Sequence, residues 1–136
     1  MLQDSTPGNA TPLAVCRQLG DDELNDLFAA SWHDYETRSF APVLGRSCGW
    51  VGEQERGQLV GFVNVAGDGG VHAVILDTTA RPEARRIGLG IELVKAAALE
   101  TRGRGARWLH VDCEPHLAGF YVRSDSDPTT AGLVAL

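Results

Sequence analysis

Apolar residues recur along this chain with two different periods, and the switches between them mark out its elements. Residues 13–19 are predicted to form a first strand, and Gly20 ends the run. Asp21, Asp22 and Glu23 then open a helix, a capping group followed by acids in the first turn, where the helix dipole favours negative charge. Leu24, Leu27, Phe28 and Ser31 share one face of that helix. Residues 32–35 break the pattern, and a short second helix is predicted over 37–44, with Phe40, Val43 and Leu44 inward and Gly45 as its stop. Three extended segments follow: 48–53, then 59–66 with Val60, Phe62, Val63 and Val65 suited to a sheet, then 71–79. A tight connection at 54–57 joins the first two, and Gly67-Asp68-Gly69-Gly70 is a strong hairpin turn between the others. From Ile91 to 102 a wide apolar stripe of Ile91, Leu93, Val94, Ala97 and Ala98 predicts a helix closed by Gly103. Residues 107–112 read as a strand, Pro115 suits the first turn of a short helix running to about residue 123, 125–130 is loop-like, and 132–136 is predicted to close as a final strand. The order β, α, α, β, β, β, α, β, α, β implies an α/β (α+β) architecture: a mixed, mostly antiparallel central sheet of about six strands flanked by about four helices.

Composition narrows this picture. The 136 residues suit one domain, and 43% hydrophobic with 22% charged residues fits a folded globular chain. Residues 1–12 are polar and rich in Pro, Gly, Ser and Thr, so they read as a flexible tail ahead of a domain over 13–136. They lack the basic start and apolar run of a secretion signal, and no run approaches the roughly 20 apolar residues that cross a bilayer. A cytoplasmic protein with no membrane partner is the expectation. Net charge is −6, and Lys95 is the one lysine among 12 basic residues. An acidic chain is a poor candidate for nucleic acid, because phosphate neutralisation drives that binding. Cys16, Cys48 and Cys113 are far apart and odd in number, as expected of reduced thiols. The histidines at 33, 72, 110 and 116 form no His-x-x-x-His pair, and there is no Cys-x-x-Cys, so no zinc site or other metal is expected.

One segment carries chemistry. Arg85-Arg86-Ile87-Gly88-Leu89-Gly90 follows the strand of 71–79 and opens the helix of 91–102. A glycine-bearing turn at a helix start leaves several backbone N–H groups without intrahelical partners, and the dipole adds partial positive charge there. Glycine lets an anion approach the bare backbone, and adjacent arginines add forked donors suited to phosphate. The phosphate loop of nucleotidases needs Gly-x-x-x-x-Gly-Lys followed by Ser or Thr, which is missing. The dinucleotide fingerprint needs Gly or Ala where Leu93 stands. An anion cradle and an ordinary loop whose glycines ease a helix start both fit the spacing alone.

The remaining pattern, Arg-x-x-Gly-x-Gly between strand and helix with Pro82 upstream, resembles the coenzyme A-binding motif of the GNAT N-acetyltransferase superfamily. The order of elements is similar to that of these domains as well, and Phe120-Tyr121 sits where members commonly carry a tyrosine on the helix after the fifth strand. The resemblance runs from about residue 21 to the C-terminus. One departure stands out: relatives usually have Gly-Phe four and five residues after the tyrosine, where this chain has Asp125 and Ser126.

The resemblance implies acetyl transfer from acetyl coenzyme A to a primary amine, small or peptidic, by direct attack in a ternary complex. The alternative is a module of the same fold that binds coenzyme A or a protein partner without catalysis. A homodimer is compatible with family habit. Backbone groups of Arg86, Ile87, Gly88, Leu89 and Gly90 would hold the pyrophosphate, with Arg85 and Arg86 adding charge. Thr78, Thr79 and Ala80 would pair with the pantetheine arm. Tyr121 is the candidate acid for the departing thiolate, since a phenol titrating at about 10 needs only a modest push to protonate a thiol of about 8.5. Alternation puts His110, Asp112 and Glu114 on one face of their strand, which suggests a wet cleft, with Asp112 and Glu114 the first choices for the base. Asp77 and His110 would line the acceptor cleft. Trp32 and Tyr35, between the first two helices, would hold a cationic amine. His72 is expected in solvent.

Overall fold

The apolar β-formers around Phe62 become the centre of a single sheet. The computed structural model describes residues 13–15, 17–85, 88–112, 118–123, 126–129 and 131–136. In chain order its elements are β1 (Leu13–Val15), α1 (Asp21–Ser31), α2 (Ala41–Leu44), β2 (Gly49–Glu55), β3 (Gln58–Gly67), β4 (His72–Ala80), α3 (Pro82–Arg85), α4 (Leu89–Gly103), β5 (Trp108–Val111) and α5 (Ala118–Arg123). The sheet has the order β1-β2-β3-β4-β5. The first four strands pair antiparallel and β5 joins β4 in parallel. A parallel pair needs a crossover, and α4 supplies it.

Each face of the sheet has its own core. On one side α4 lays Leu89, Leu93, Val94 and Ala97 over Val51, Val63, Val65, Ala73 and Ile75, and Tyr121 of α5 joins them. On the other, Leu24, Leu27 and Phe28 of α1 pack with Phe40, Leu59 and Phe62. The helix approaches the first face closely because Gly61 has no side chain there: a Cβ would stand 2.8 Å from Leu93 Cδ1 and 2.9 Å from Leu89 Cδ2.

Most predicted elements stand, with shifted ends, and several expectations need correction. Among the described residues the sheet has five strands and the helical segments number five. Residues 132–136 form no strand: Leu133 and Val134 are each 86% exposed, so these apolar side chains find no core that would hold a ladder together. The second helix begins at Ala41 rather than 37, because Phe40 N–H is held by Asp21 Oδ1 at 2.8 Å and Pro42 suits a first turn. Val43 faces solvent while Phe40 is buried. The cap of α1 is Gly20, whose N–H bonds Glu23 Oε2 at 3.0 Å, so Asp21 is already helical. The additional helical turn, α3, lies between β4 and the glycine turn.

Candidate active site

The site begins with an irregularity in β4. Phe62 pairs with Thr79 and Asn64 with Leu76, so three steps on β4 match two on β3. The extra residue is accommodated at Asp77, a non-glycine with φ 56°. Such a bulge reverses the alternation beyond it. Ile75 belongs to the core under α4, and four residues on Thr79 would face the same way in a regular strand. Instead Thr79 faces α1, where its Oγ1 accepts a hydrogen bond from Trp32 Nε1 at 3.0 Å. The Thr79 hydroxyl donates in turn to the Asp77 carbonyl at 2.9 Å, bracing the strained residue.

The second feature is an opened edge. The β4–β5 ladder runs from His72 and Trp108 to Ile75 and Val111, while β4 continues to Ala80. Residues 76–80 therefore pair with β3 alone among the described strands, so their other edge carries no ladder at this wedge. A chain of hydrogen bonds ties the end of that edge to the start of α4. Arg85 Nε donates to the Ala80 carbonyl at 2.9 Å, Arg85 Nη2 to the Ser31 carbonyl at 3.3 Å, and Gly88 N–H to the Arg85 carbonyl at 3.3 Å.

Gly88 caps α4 in the left-handed region, φ 78°, ψ 17°. Among the described residues a Cβ there would meet nothing within 4 Å. The Glu92 N–H closes the first helical bond onto the Gly88 carbonyl at 3.2 Å, which leaves the N–H groups of Leu89, Gly90 and Ile91 without intrahelical acceptors. A notch at the start of a 15-residue helix, with three N–H groups that lack intrahelical acceptors, fits a pyrophosphate. A strand edge without a ladder leading to it fits an amide-bearing arm. The residues present are thus compatible with coenzyme A.

The predicted site residues sort unevenly. Thr78, Thr79, Ala80, Gly88, Leu89 and Gly90 lie on the edge and the notch. Leu89 is buried in the core, so only its backbone can face a ligand. Arg85 is spent on the Ala80 and Ser31 carbonyls and acts as a brace. Arg86, Ile87 and Glu114 lie outside the described residues. Trp32 is half exposed beside Thr79. Tyr35 is turned elsewhere: its ring packs on Phe28 at 5.6 Å and its hydroxyl bonds Asn25 Oδ1 at 2.5 Å. Asp77, His110 and Asp112 are exposed. Tyr121 is 8% exposed in the α4 core, and its carbonyl accepts the Ser126 N–H at 3.1 Å.

Sequence reasoning passed over Arg81. Its side chain is 9% exposed, its Nε donates to the Leu59 carbonyl at 2.9 Å, and its Nη2 pairs with Asp26 of α1. It pins the end of β4 to β3 and α1 just before the brace. Its one sequence signal was a charge directly after an apolar strand. The groove of about 540 Å³ between the end of α4 and the start of β5, lined by Thr101, Arg102, Arg107 and Trp108 among others, holds none of the predicted site residues.

Comparison with known proteins bears on the family and the fold. Residues 18–124 match the Acetyltransferase (GNAT) family. The chain is 34% identical over 65 residues to serotonin N-acetyltransferase 2, chloroplastic, of Oryza sativa subsp. japonica, covering 48% of this chain and 32% of the plant protein. It thus spans about a third of that relative's length. A candidate acetyltransferase of Deinococcus radiodurans R1 superposes with TM-score 0.78 at 24% identity, covering 99% of this chain and 93% of that one. An aminoglycoside N-acetyltransferase solved in complex with CoA superposes with TM-score 0.72 at 12% identity, covering 96% and 98%. At these identities the solved structures speak to the fold.

Proposed function

Because the chain belongs to the acetyltransferase (GNAT) family, we propose that it transfers an acetyl group from acetyl coenzyme A to a primary amine by direct attack in a ternary complex. The observation that carries this reading is the opened edge of β4 leading, through the Arg85 brace, to the notch at Gly88. When bound, acetyl coenzyme A supplies a thioester whose carbonyl carbon the amine attacks. The N–H groups of Leu89, Gly90 and Ile91 hold the pyrophosphate, and the edge at Thr78, Thr79 and Ala80 aligns the pantetheine arm. A strand N–H at the bulge bonds the thioester oxygen as negative charge develops on it. The new bond is nitrogen to carbonyl carbon and the bond broken is carbon to sulfur. Asp112, or Glu114 beyond the described residues, takes the proton that the amine loses. Tyr121 returns a proton to the sulfur.

The acceptor side draws support from three residues. The half-exposed indole of Trp32 offers an apolar wall, and the exposed Asp77 and His110 offer polar groups to a cationic amine. The plant relative named for serotonin is in keeping with an aromatic amine as one acceptor to try first. Thiol release from acetyl coenzyme A, followed against a panel of arylalkylamines, polyamines, aminoglycosides and peptide N-termini, tests the proposal. Turnover above background with at least one amine is expected. Tyr121→Phe should then lower turnover by about 10²-fold or more with coenzyme A affinity little changed. If coenzyme A binds and every amine gives background thiol, the protein is a binding module instead.

A further inference from the structure

On the face of the sheet opposite α4, the β4–β5 pairing brings together two histidines 38 residues apart in sequence. Ala73, Ile75, Leu109 and Val111 of these strands pack toward the α4 core, so alternation turns His72, Val74, Trp108 and His110 the other way. Both histidines are exposed. His72 Nδ1 and His110 Nε2 stand 2.9 Å apart, with ring centroids at 5.1 Å and planes tilted by 36°. One ring donates a hydrogen bond to the other.

The same separation is one that a metal ion requires. Ligands about 2.05 Å from an ion and at right angles to each other lie about 2.9 Å apart, whereas tetrahedral ligands lie about 3.4 Å apart. Each ring can carry its proton on the outer nitrogen instead, which leaves both inner lone pairs free to coordinate. Pairing of the two strands fixes the backbone of both residues, so binding has only the two side-chain rotamers to order. The Asp68 carboxylate lies at the start of the same strand, its Oδ1 accepting the backbone N–H of His72 at 3.4 Å, and the chain carries net charge −6.

We propose that His72 Nδ1 and His110 Nε2 form a two-histidine chelating site for a divalent transition ion with right-angled coordination, Ni²⁺ or Cu²⁺ in type. Among the described residues no three metal-ligating side chains converge, so water completes the coordination shell. Bound metal staples β4 to β5 at the closed end of their wedge and stabilises the folded state by mass action. This inference does not depend on acetyl transfer.

Calorimetric titration of the full chain with NiCl₂ at about pH 8, where metal competes with few protons, tests it together with the unfolding temperature. One Ni²⁺ per chain should bind, with a rise in unfolding temperature and a weaker response to Zn²⁺. His72→Ala and His110→Ala should each abolish both effects, while His33→Ala keeps them. Metal-free unfolding of the variants, which should match that of the parent because both rings are exposed, checks that they fold. Saturable binding that survives the double variant, or no saturable binding by the parent chain, would overturn the site.

Discussion

At the scale of single residues, the positions that matter are those whose surroundings contradict their chemistry. Glu53 of β2 lies against the first turn of α4. Burial pushes its carboxyl up to about 6, the charges of Glu92 and Glu55 push the same way, and its Oε2 has no hydrogen-bond partner among the described residues. A folded-state value above the usual 4.5 means that the fold favours the neutral acid. Its stabilising contribution is therefore complete below about pH 4.5 and is lost as pH rises through about 6. Glu53→Gln keeps the shape without the charge. It should match the parent near pH 4.5 and exceed its stability at pH 7.5 by up to about 1 kcal/mol, the gain being limited by solvent screening of a part-exposed group. Denaturant titrations at the two pH values check this, and equal stability at both would show that the charge costs nothing. Arg85 and Asp77 are contradictions of another kind. A surface arginine proved to be a brace, and an ordinary aspartate sits at φ 56°.

At the scale of elements, the contact between α4 and β3 sets the geometry on which the notch depends. Leu89 and Leu93 are 2% and 0% exposed, and both press on the bare backbone of Gly61. Gly61→Val should push the helix outward and cost about 1–3 kcal/mol, as overpacking of a tight core does. Gly103→Ala, at the far end of α4, is the control, since a Cβ there meets nothing within 4 Å. Equal thermal shifts for the two would mean that the helix does not rest on Gly61. The periodic pattern did indicate α4 and α1, each of which buries one stripe, and the apolar β-formers indicated the three antiparallel strands, of which β3 is buried on both faces. It could not indicate the β4 bulge. A strand with one extra residue has the same local composition as a regular one, and only its register against β3 shows the difference.

At the scale of the whole molecule, ligand binding and stability are linked. A ligand held by the folded state alone raises the unfolding temperature as its concentration rises. Coenzyme A should do so here, and Gly88 offers a way to separate the notch from the fold. Gly88→Asn tolerates the left-handed backbone at φ 78° yet puts a side chain into the notch. It should leave the ligand-free unfolding temperature close to that of the parent and abolish the coenzyme A-dependent rise. A full rise in this variant would remove the notch from the binding site. The glycine turn, most of the element order and the tyrosine after β5 were legible in the sequence, because a helix start is a local property of a few residues. So were the two faces of the sheet, since periodicity reports burial without reporting a partner. Three things needed the folded chain. The wedge exists because β4 outlasts its ladder with β5, and ladder lengths belong to pairs of strands. The Trp32–Thr79–Asp77 and Arg85–Ala80 bonds join segments that propensity treats as independent. The His72–His110 pair depends on a crossover that lays residue 72 next to residue 110. Local pattern decides which residues turn inward, and tertiary pairing decides which polar groups then meet.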